Sequence, residues 1–449
     1  QHALGAALPP GPTSWSPTRT RRMLVDPVPA LTEAYDRYGP VFTIRILYAK
    51  VVFALGPEAN HAILVSQADR FHWREGSFKD LIPLLGDGLL TIDGEYHRRA
   101  RRIMLPAFHR ERLSSATATM IEEADRAIDA LRPGERVDVE RWARDLALRV
   151  AMRALFGLDP DSTTREVDLA REFRRALGFY GRDYVLQAVR GPGTPFATMQ
   201  QARRRIDRVL YAEIARRRAD PAPRQDILSM LIGAEDEEGQ RLSDHEVRDQ
   251  AMTLLFAGHD TTTSTIAFLC HELAGRPGVA DDLRAEQDAV LQGGRAPDFA
   301  ELTSGLPHLD AAVDETLRMY PPAWVGPRRV VADAELCGVP LPTGAYVNYC
   351  SYASHRLPDV FPDPEAFRPE RFTAEAKAAL PRGAYVPFGG GSRTCIGMRF
   401  GQLEVKAIAT RLLQRLRLER TPGHRLEVRQ TPTLGPRGGL PMVVRDRAA

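Results

Sequence analysis

The sequence predicts a mainly α-helical fold with a smaller β-rich lobe, assembled as one domain over residues 1–449. Three observations carry this. From about Asp93 onward, long stretches rich in Ala, Leu, Arg and Glu place apolar residues three and four positions apart, the period of a helix face. Short alternating segments are confined to the region before that point and to a few positions after residue 320. Pro and Gly fall between the periodic stretches as brief loops, and no linker-like run divides the chain. Length alone would suggest two or three domains. The order β, then α, then mixed fits a single α-dominated body with a β lobe instead.

Taken in order, the first thirty residues read as irregular, and strands follow at Val41–Ile46 and 51–55, giving a β-rich part over about 30–70. The α-rich body runs from about 93 to the end. Its helices are expected over 95–109, 111–131, 140–156, 164–188, 196–218 and 243–274, with loops at 191–195, 220–223 and 275–278. A further helix lies near 308–320, alternation returns at 345–349, and a Pro-rich loop leads to one last helix. Ser243 and Glu246 form a capping-box signature for the longest helix, of about 32 residues or roughly 48 Å, enough to cross a whole domain.

Composition excludes several classes. The formal net charge is +3 and the basic residues are spread widely, so nothing demands nucleic acid. The four cysteines, Cys270, Cys337, Cys350 and Cys395, form no CxxC pair and follow no secretory signal. A reducing, cytoplasmic setting and a monomer are expected. No run reaches the roughly 18–20 apolar residues that span a bilayer. The chain opens on Gln1 and soon meets Pro9, Pro10, Gly11 and Pro12, which leaves an anchor ahead of it open.

Residues 388–397 read FGGGSRTCIG, followed by Phe400, Leu403, Ala407, Ile408, Leu412 and Leu416 at helical spacing. Cys395 is thereby placed at a helix N-terminus, where the macrodipole and free N–H groups favour a thiolate, a ready metal ligand. Gly389, Gly390, Gly391 and Gly397 allow backbone to approach a flat, bulky group, and Arg393 can reach an anion at its edge. A lone cysteine is ordinarily a small buried hydrophobe, and that reading is kept for the other three.

In the middle of the long helix stands AGHDTT, residues 257–262, where Gly258 and successive Thr residues weaken the helix. Their hydroxyls can bond back to carbonyls and open the turn. Glu315 and Arg318 are spaced to meet on one helix face, ahead of Pro321. His97 and Arg101 stand one turn apart in HRRARR, whose Arg98, Arg99 and Arg102 read as a solvated basic face.

The 388–397 loop is similar to the haem loop of cytochrome P450s, FxxGxRxCxG, at Phe388, Gly391, Arg393, Cys395 and Gly397. That family's chemistry rests on an axial Cys thiolate that pushes electron density to cleave the O–O bond. The resemblance covers the chain from about residue 30 to the end, with five motifs in order. It implies a P450 fold whose long central helix crosses haem b, with Cys395 as the iron ligand. The 257–262 stretch resembles the family's AGxDT motif, implying that Thr261 and Asp260 deliver the protons that dioxygen cleavage requires. His259 reads as a polar neighbour. Glu315, Arg318 and, from FRPERF, Arg371 resemble the Glu-Arg-Arg triad that supports the cysteine loop. His97 and Arg101 resemble the HxxxR or WxxxR pattern that holds the haem propionates, although many relatives carry Trp at the position of His97. Arg328 stands where relatives place a third propionate-binding arginine, with Arg329 beside it as a competitor. Phe388, Gly389, Arg393 and Gly397 complete the haem contacts.

Substrate contacts implied in the same way come from 71–92, 180–196, Ala257, 322–325 and the turn near Leu434. Phe71, Ile82, Leu85, Ala257, Trp324, Val325 and Leu434 suggest a largely apolar pocket for a hydrophobic small molecule such as a fatty acid, steroid or polyketide, with core packing as the alternative for each. No GxGxxG fingerprint is present. Electrons are therefore expected from a separate ferredoxin-like donor, docking near Arg393, Arg399 and Lys406. The expected activity is insertion of one oxygen atom from O2. The alternative is a haem-thiolate binding or sensor protein that turns nothing over, against which Asp260 and Thr261 speak.

Overall fold

In a computed structural model, the chain is described over residues 7–447, apart from 77–79, 162–166, 183, 221–223, 225 and 237–238. A five-stranded sheet forms the β lobe. Its order is Val41–Ile46, Ala49–Ala54, Tyr346–Tyr349, Gly326–Val330 and Phe71–His72. Only the Ala49–Ala54 and Tyr346–Tyr349 pair is parallel, with Val52 opposite Val347. Arg328 faces Val347 across the next ladder, a register that fixes where its side chain leaves the sheet.

The first forty residues depart from expectation. Pro17–Val25 and Val28–Tyr38 are helices, each started by a proline at its first turn, and the first is capped by Ser16. Short helices of this kind carry too few periodic positions to stand out, and Leu31, fully buried, shows that packing sustains the second. The expected 164–188 helix is two pieces, Leu169–Leu177 and Tyr184–Ala188, separated at Gly178 and Gly181. Part of the expected span, 164–166 and 183, lies outside the described residues. Ile227–Gly233 and Pro277–Val290 are helices the sequence reading did not mark.

The long helix forms as expected, Asp244–Ala274, with the capping box of Ser243 and Glu246 in place. It is buried on nearly every side, so its sequence is apolar or satisfied polar all round instead of amphipathic. Arg248, Asp249 and Gln250 near its start hold the loop at 84–89 through the carbonyls of Leu84 and Leu85 and the amides of Asp87 and Leu89. The last helix, Met398–Arg415, follows the cysteine loop and packs against both the central helix and Arg110–Asp129. Among the described residues, no helix is long and apolar enough to cross a membrane.

Candidate active site

Cys395 closes a tight loop, its backbone N–H donating to the Phe388 carbonyl at 2.9 Å, three residues ahead of the helix that begins at Met398. Cys270 and Cys350 are buried, whereas Cys395 keeps accessible surface. That surface belongs to an interior cleft: burial is the largest influence on the thiol and raises its pKa, over the opposing effects of the Gly397 amide and Arg101. Desolvation thus opposes the helix-terminus preference for a thiolate, and a coordinating metal is what deprotonates such a thiol.

The loop glycines divide. A Cβ on Gly391, whose φ is +59°, would stand 2.2 Å from the Leu64 carbonyl oxygen, and one on Gly390 3.3 Å from Leu64 Cβ. These two serve packing against the turn at Ala62–Ser66 rather than approach to a flat group. Beside Gly389 and Gly397 the nearest atoms are 3.7 and 3.9 Å away, so these two leave room at the cleft. Phe388 is half-buried there.

Cations converge above the thiol. Arg328 is 1% exposed, lies 3.8 Å over the Trp73 ring, donates Nη1 to the Pro327 carbonyl, and has a buried Nη2 with no hydrogen-bond partner among the described residues. Arg329, the competitor, turns outward over Tyr346. Arg393 pairs with Asp93 and donates to the Ile92 carbonyl at 2.7 Å; burial, with Arg328 and Arg101 nearby, pulls its pKa down to about 10. Arg101 is half-buried and pairs with no carboxylate among the described residues. His97 is buried, and desolvation together with Arg393 and Arg101 lowers its pKa to about 3, so it is neutral. Three guanidiniums thus share one carboxylate. The two-charge excess and the orphaned Arg328 Nη2 fit a group bearing two carboxylates, as the propionates of haem b do. Arg98 and Arg102 are exposed as expected, but Arg99 bridges Asp236 at 2.8 Å and Glu246 at 3.2 Å.

On the central helix, Phe256, Ala257, Gly258 and Thr261 retain accessible surface while their neighbours are buried. Thr261 Oγ1 donates to the Ala257 carbonyl at 2.7 Å, and Thr263 and Thr265 repeat the pattern on the carbonyls of His259 and Thr261. The back-bonds are as expected; the opened turn is not, since the helix continues unbroken. Asp260 points away from that accessible face, 3% exposed, accepting from Thr433 Oγ1 and lying 3.3 Å from Arg144, which is a quarter exposed and bound to Glu140. His259 is fully buried against Arg144 O and Phe173, and desolvation lowers its pKa to about 4. Arg144, Thr433 and Glu404 escaped the sequence reading. Glu404, buried on the cysteine helix with its pKa raised by burial, hydrogen-bonds Thr262. No spacing in the sequence connects these residues, because the fold alone brings them together.

The chain belongs to the cytochrome P450 family. The family model "Cytochrome P450" matches residues 9–438. The cyclooctat-9-en-7-ol 5-monooxygenase of Streptomyces melanosporofaciens is 36% identical over 91% of this chain and 89% of its own length. The cyclooctatin synthase of the same organism is 34% identical over 90% and 89%. Among solved structures, retinoic acid-bound cyanobacterial CYP120A1 superposes with a TM-score of 0.86 at 30% identity, covering 98% of this chain and 99% of that one. This cytochrome P450 is a haem-thiolate monooxygenase, and its cofactor is haem b.

Support beneath the P450 loop is built as a buried network. Arg318 and Glu315 are both fully buried and meet at 2.6 Å; Arg371 Nε stands 3.4 Å from Glu315, and Arg318 also donates to the His355 and Ala366 carbonyls. Removing one partner of such a pair strands a buried charge. Glu315→Gln is therefore expected to cost about 3–5 kcal/mol in chemical denaturation and to shed haem on dilution; a loss under roughly 1 kcal/mol, the value of a surface pair, would contradict it.

His355 ties this network to the cysteine loop. Its Nδ1–H donates to the Arg318 carbonyl at 3.2 Å, and its Nε2 accepts the Val386 amide at 3.0 Å, two residues before Phe388. Burial, then the Arg318 charge, lowers its pKa from 6.5 to about 3. A histidine depressed in the folded state stabilises the fold above its unfolded pKa and loses that contribution as pH falls. Stability should thus decline from pH 6.5 toward 3, by up to ~1.4 kcal/mol per pH unit from this group. Thermal unfolding of His355→Gln should show a shallower acid limb; parallel curves would refute the assignment.

The expected substrate residues separate as well. Ile82, Ala257, Trp324 and Val325 retain accessible surface. Phe71 (2% exposed) packs in the sheet's own core with Val330 and Val347, and Leu85 and Leu434 are completely buried. Phe71 pairs with Val330 in the ladder, which turns it into that core. The Leu434 amide donates to the Pro322 carbonyl, and its carbonyl accepts from the Ser264 hydroxyl. Part of the 71–92 loop, 77–79, and residue 183 lie outside the described residues. Of the cations expected to meet a donor, Lys406 is buried on Asp310 and Arg393 is engaged inside, which leaves Arg399 exposed.

Proposed function

We propose that this P450 inserts one oxygen atom from O2 into a C–H bond of a hydrophobic small molecule, with electrons from a separate ferredoxin-type donor. The accessible stretch Phe256–Gly258 with Thr261, in the middle of an otherwise buried helix, carries the reading. It offers an apolar wall with one hydroxyl. Trp324, Val325 and Ile82 extend the apolar character, and the aromatic cluster of Phe179, Tyr180 and Phe196 packs behind the neighbouring loop. Relatives named for cyclooctat-9-en-7-ol and for bound retinoic acid favour an apolar carbon skeleton carrying few polar groups.

When bound, the haem supplies activation of dioxygen. The protein's own contributions are assigned as follows: Cys395 Sγ ligates the iron; Arg101, Arg328, Arg393 and neutral His97 hold the propionates; Ala257 shapes the substrate face; Thr261 Oγ1 passes a proton that Asp260 brings inward from the side of Arg144. The donor is proposed to dock by charge at Arg399 and the exposed Arg98 and Arg102. Titration of the ferric protein with terpenoid, steroid, polyketide and fatty-acid panels should shift the haem absorption for an apolar class, and product analysis should show one added oxygen atom derived from O2. A protein that shifts only with small polar compounds would reverse the substrate reading.

A further inference from the structure

Apolar side chains left facing solvent are not spread evenly over this protein. Five of the eleven large ones exposed among the described residues, Trp15, Leu24, Val25, Leu47 and Tyr48, belong to two short segments, and Trp15 and Tyr48 are 65% and 77% exposed. Single exposed apolar residues are ordinary, whereas a cluster marks a contact surface. Backbone bonds bring the two segments to one corner. Thr43 and Arg45 donate their amides to the Pro10 and Pro12 carbonyls, so the chain runs beside Val41–Ile46 before it passes through Trp15 into the helix Pro17–Val25. Leu47, at the turn that follows Val41–Ile46, donates its amide to Thr20 Oγ1 at 3.4 Å. Leu24 lies one helical turn beyond Thr20, on the same side of the helix. Thr20 and Met23 are buried, and Arg21, Leu24 and Val25 face out. The corner is also basic. Residues 15–26 and 45–50 carry Arg19, Arg21, Arg22, Arg45 and Lys50 against one carboxylate, Asp26. Arg22 pairs with Glu33 at 2.9 Å, and Arg45 donates to the Leu47 carbonyl at 3.1 Å. Arg21 and Lys50 are exposed and have no carboxylate partner among the described residues.

We propose that this corner binds the surface of an anionic lipid bilayer. Trp15 and Tyr48 would sit at headgroup level, where amphipathic rings are favoured. Leu24, Val25 and Leu47 enter the acyl boundary, and the cations meet the headgroups. Charge selects an anionic leaflet over a zwitterionic one. A helix side and a hairpin turn project these groups outward, as a bilayer surface requires, instead of lining a groove for a peptide. Contact is with one leaflet only, since no helix among the described residues is long and apolar enough to cross. A nine-residue helix would not hold together alone in water. Here the fold has already formed it, so binding does not bear the cost of ordering it.

Sedimentation of the holoenzyme with phosphatidylglycerol vesicles, and separately with phosphatidylcholine vesicles, reads this without turnover and so stands apart from the proposed oxygenation. Binding is expected to phosphatidylglycerol and to fall steeply in salt of about 1 M, where charges are screened within ~3 Å. Arg21→Gln and Lys50→Gln should each weaken it about fivefold. Trp15→Ser combined with Tyr48→Ser should weaken it at least about tenfold, with the carbon monoxide spectrum of the parent retained. Leu105→Ser, which removes an exposed leucine from another element, should bind as the parent does. No sedimentation with phosphatidylglycerol, equal binding to phosphatidylcholine, or parent-like binding by the Trp15 and Tyr48 double variant would each overturn the proposal. So would a dimer formed without vesicles and dispersed by that double variant, which would assign the corner to a second copy of the chain.

Discussion

Cys395→Ala protein, reduced and treated with carbon monoxide, is expected to lack the absorption band typical of thiolate-ligated haem and to form no detectable product. Among the described residues no cluster of His, Cys, Asp and Glu could take over as a metal site. Cys270 and Cys350 are buried, which pushes their thiols up to about 12, and Cys337 belongs to the β lobe. No second sulfur can substitute. The substitution removes a small side chain from a residue whose backbone bond to Phe388 does not involve the sulfur, so helical content should persist. The arginines proposed to hold the propionates, Arg101, Arg328 and Arg393, are untouched too, and on that proposal some haem should still bind. That dissociation of effects separates ligation from folding. Survival of the thiolate-type band in Cys395→Ala would remove Cys395 from the iron. Cys270→Ala and Cys350→Ala serve as controls and should leave the band as it is.

How much of this was legible in the sequence depends on whether a residue's partner is near in the chain. The central helix, its capping box and the Glu315–Arg318 pair are local, set by spacing within one helix, and the structure shows them as read. Long-range partners were invisible. Asp93 holds Arg393 across 300 positions, Thr433 holds Asp260 across 173, and Val386 meets His355 across 31. Desolvation was equally hidden: the sequence placed Cys395 at a helix start, which favours a thiolate, and did not show the burial that works against it. The N-terminal helices were missed for a third reason. A span of nine or eleven residues gives only two or three turns in which to show a period, and its stability comes from packing that the local pattern does not reveal.

Thr261 and Asp260 should prove separable in their effects, because adjacent positions on a helix point about 100° apart. Thr261 keeps a face on the cleft, where its hydroxyl now donates to the Ala257 carbonyl. To pass a proton it must exchange that bond for one directed into the cleft, a rotation that costs little because the carbonyl retains its helical partner. Thr261→Ala is thus expected to bind substrate and consume reductant near the parent rate while product falls about 10²-fold, the lower range for loss of a positioned acid. Thr261→Ser should restore most of the coupling. Asp260 lies behind, between Thr433 and the partly exposed Arg144. Asp260→Asn keeps the shape but cannot carry a proton inward and frees Arg144. Its loss should therefore appear as a slower turnover with a solvent deuterium isotope effect larger than the parent's, instead of as wasted reductant. Equal product per reductant in Thr261→Ala and the parent would refute the role of the hydroxyl. An unchanged isotope effect in Asp260→Asn would move the proton route away from Arg144, leaving Glu404, hydrogen-bonded to Thr262 from the cysteine helix, as the next group to replace.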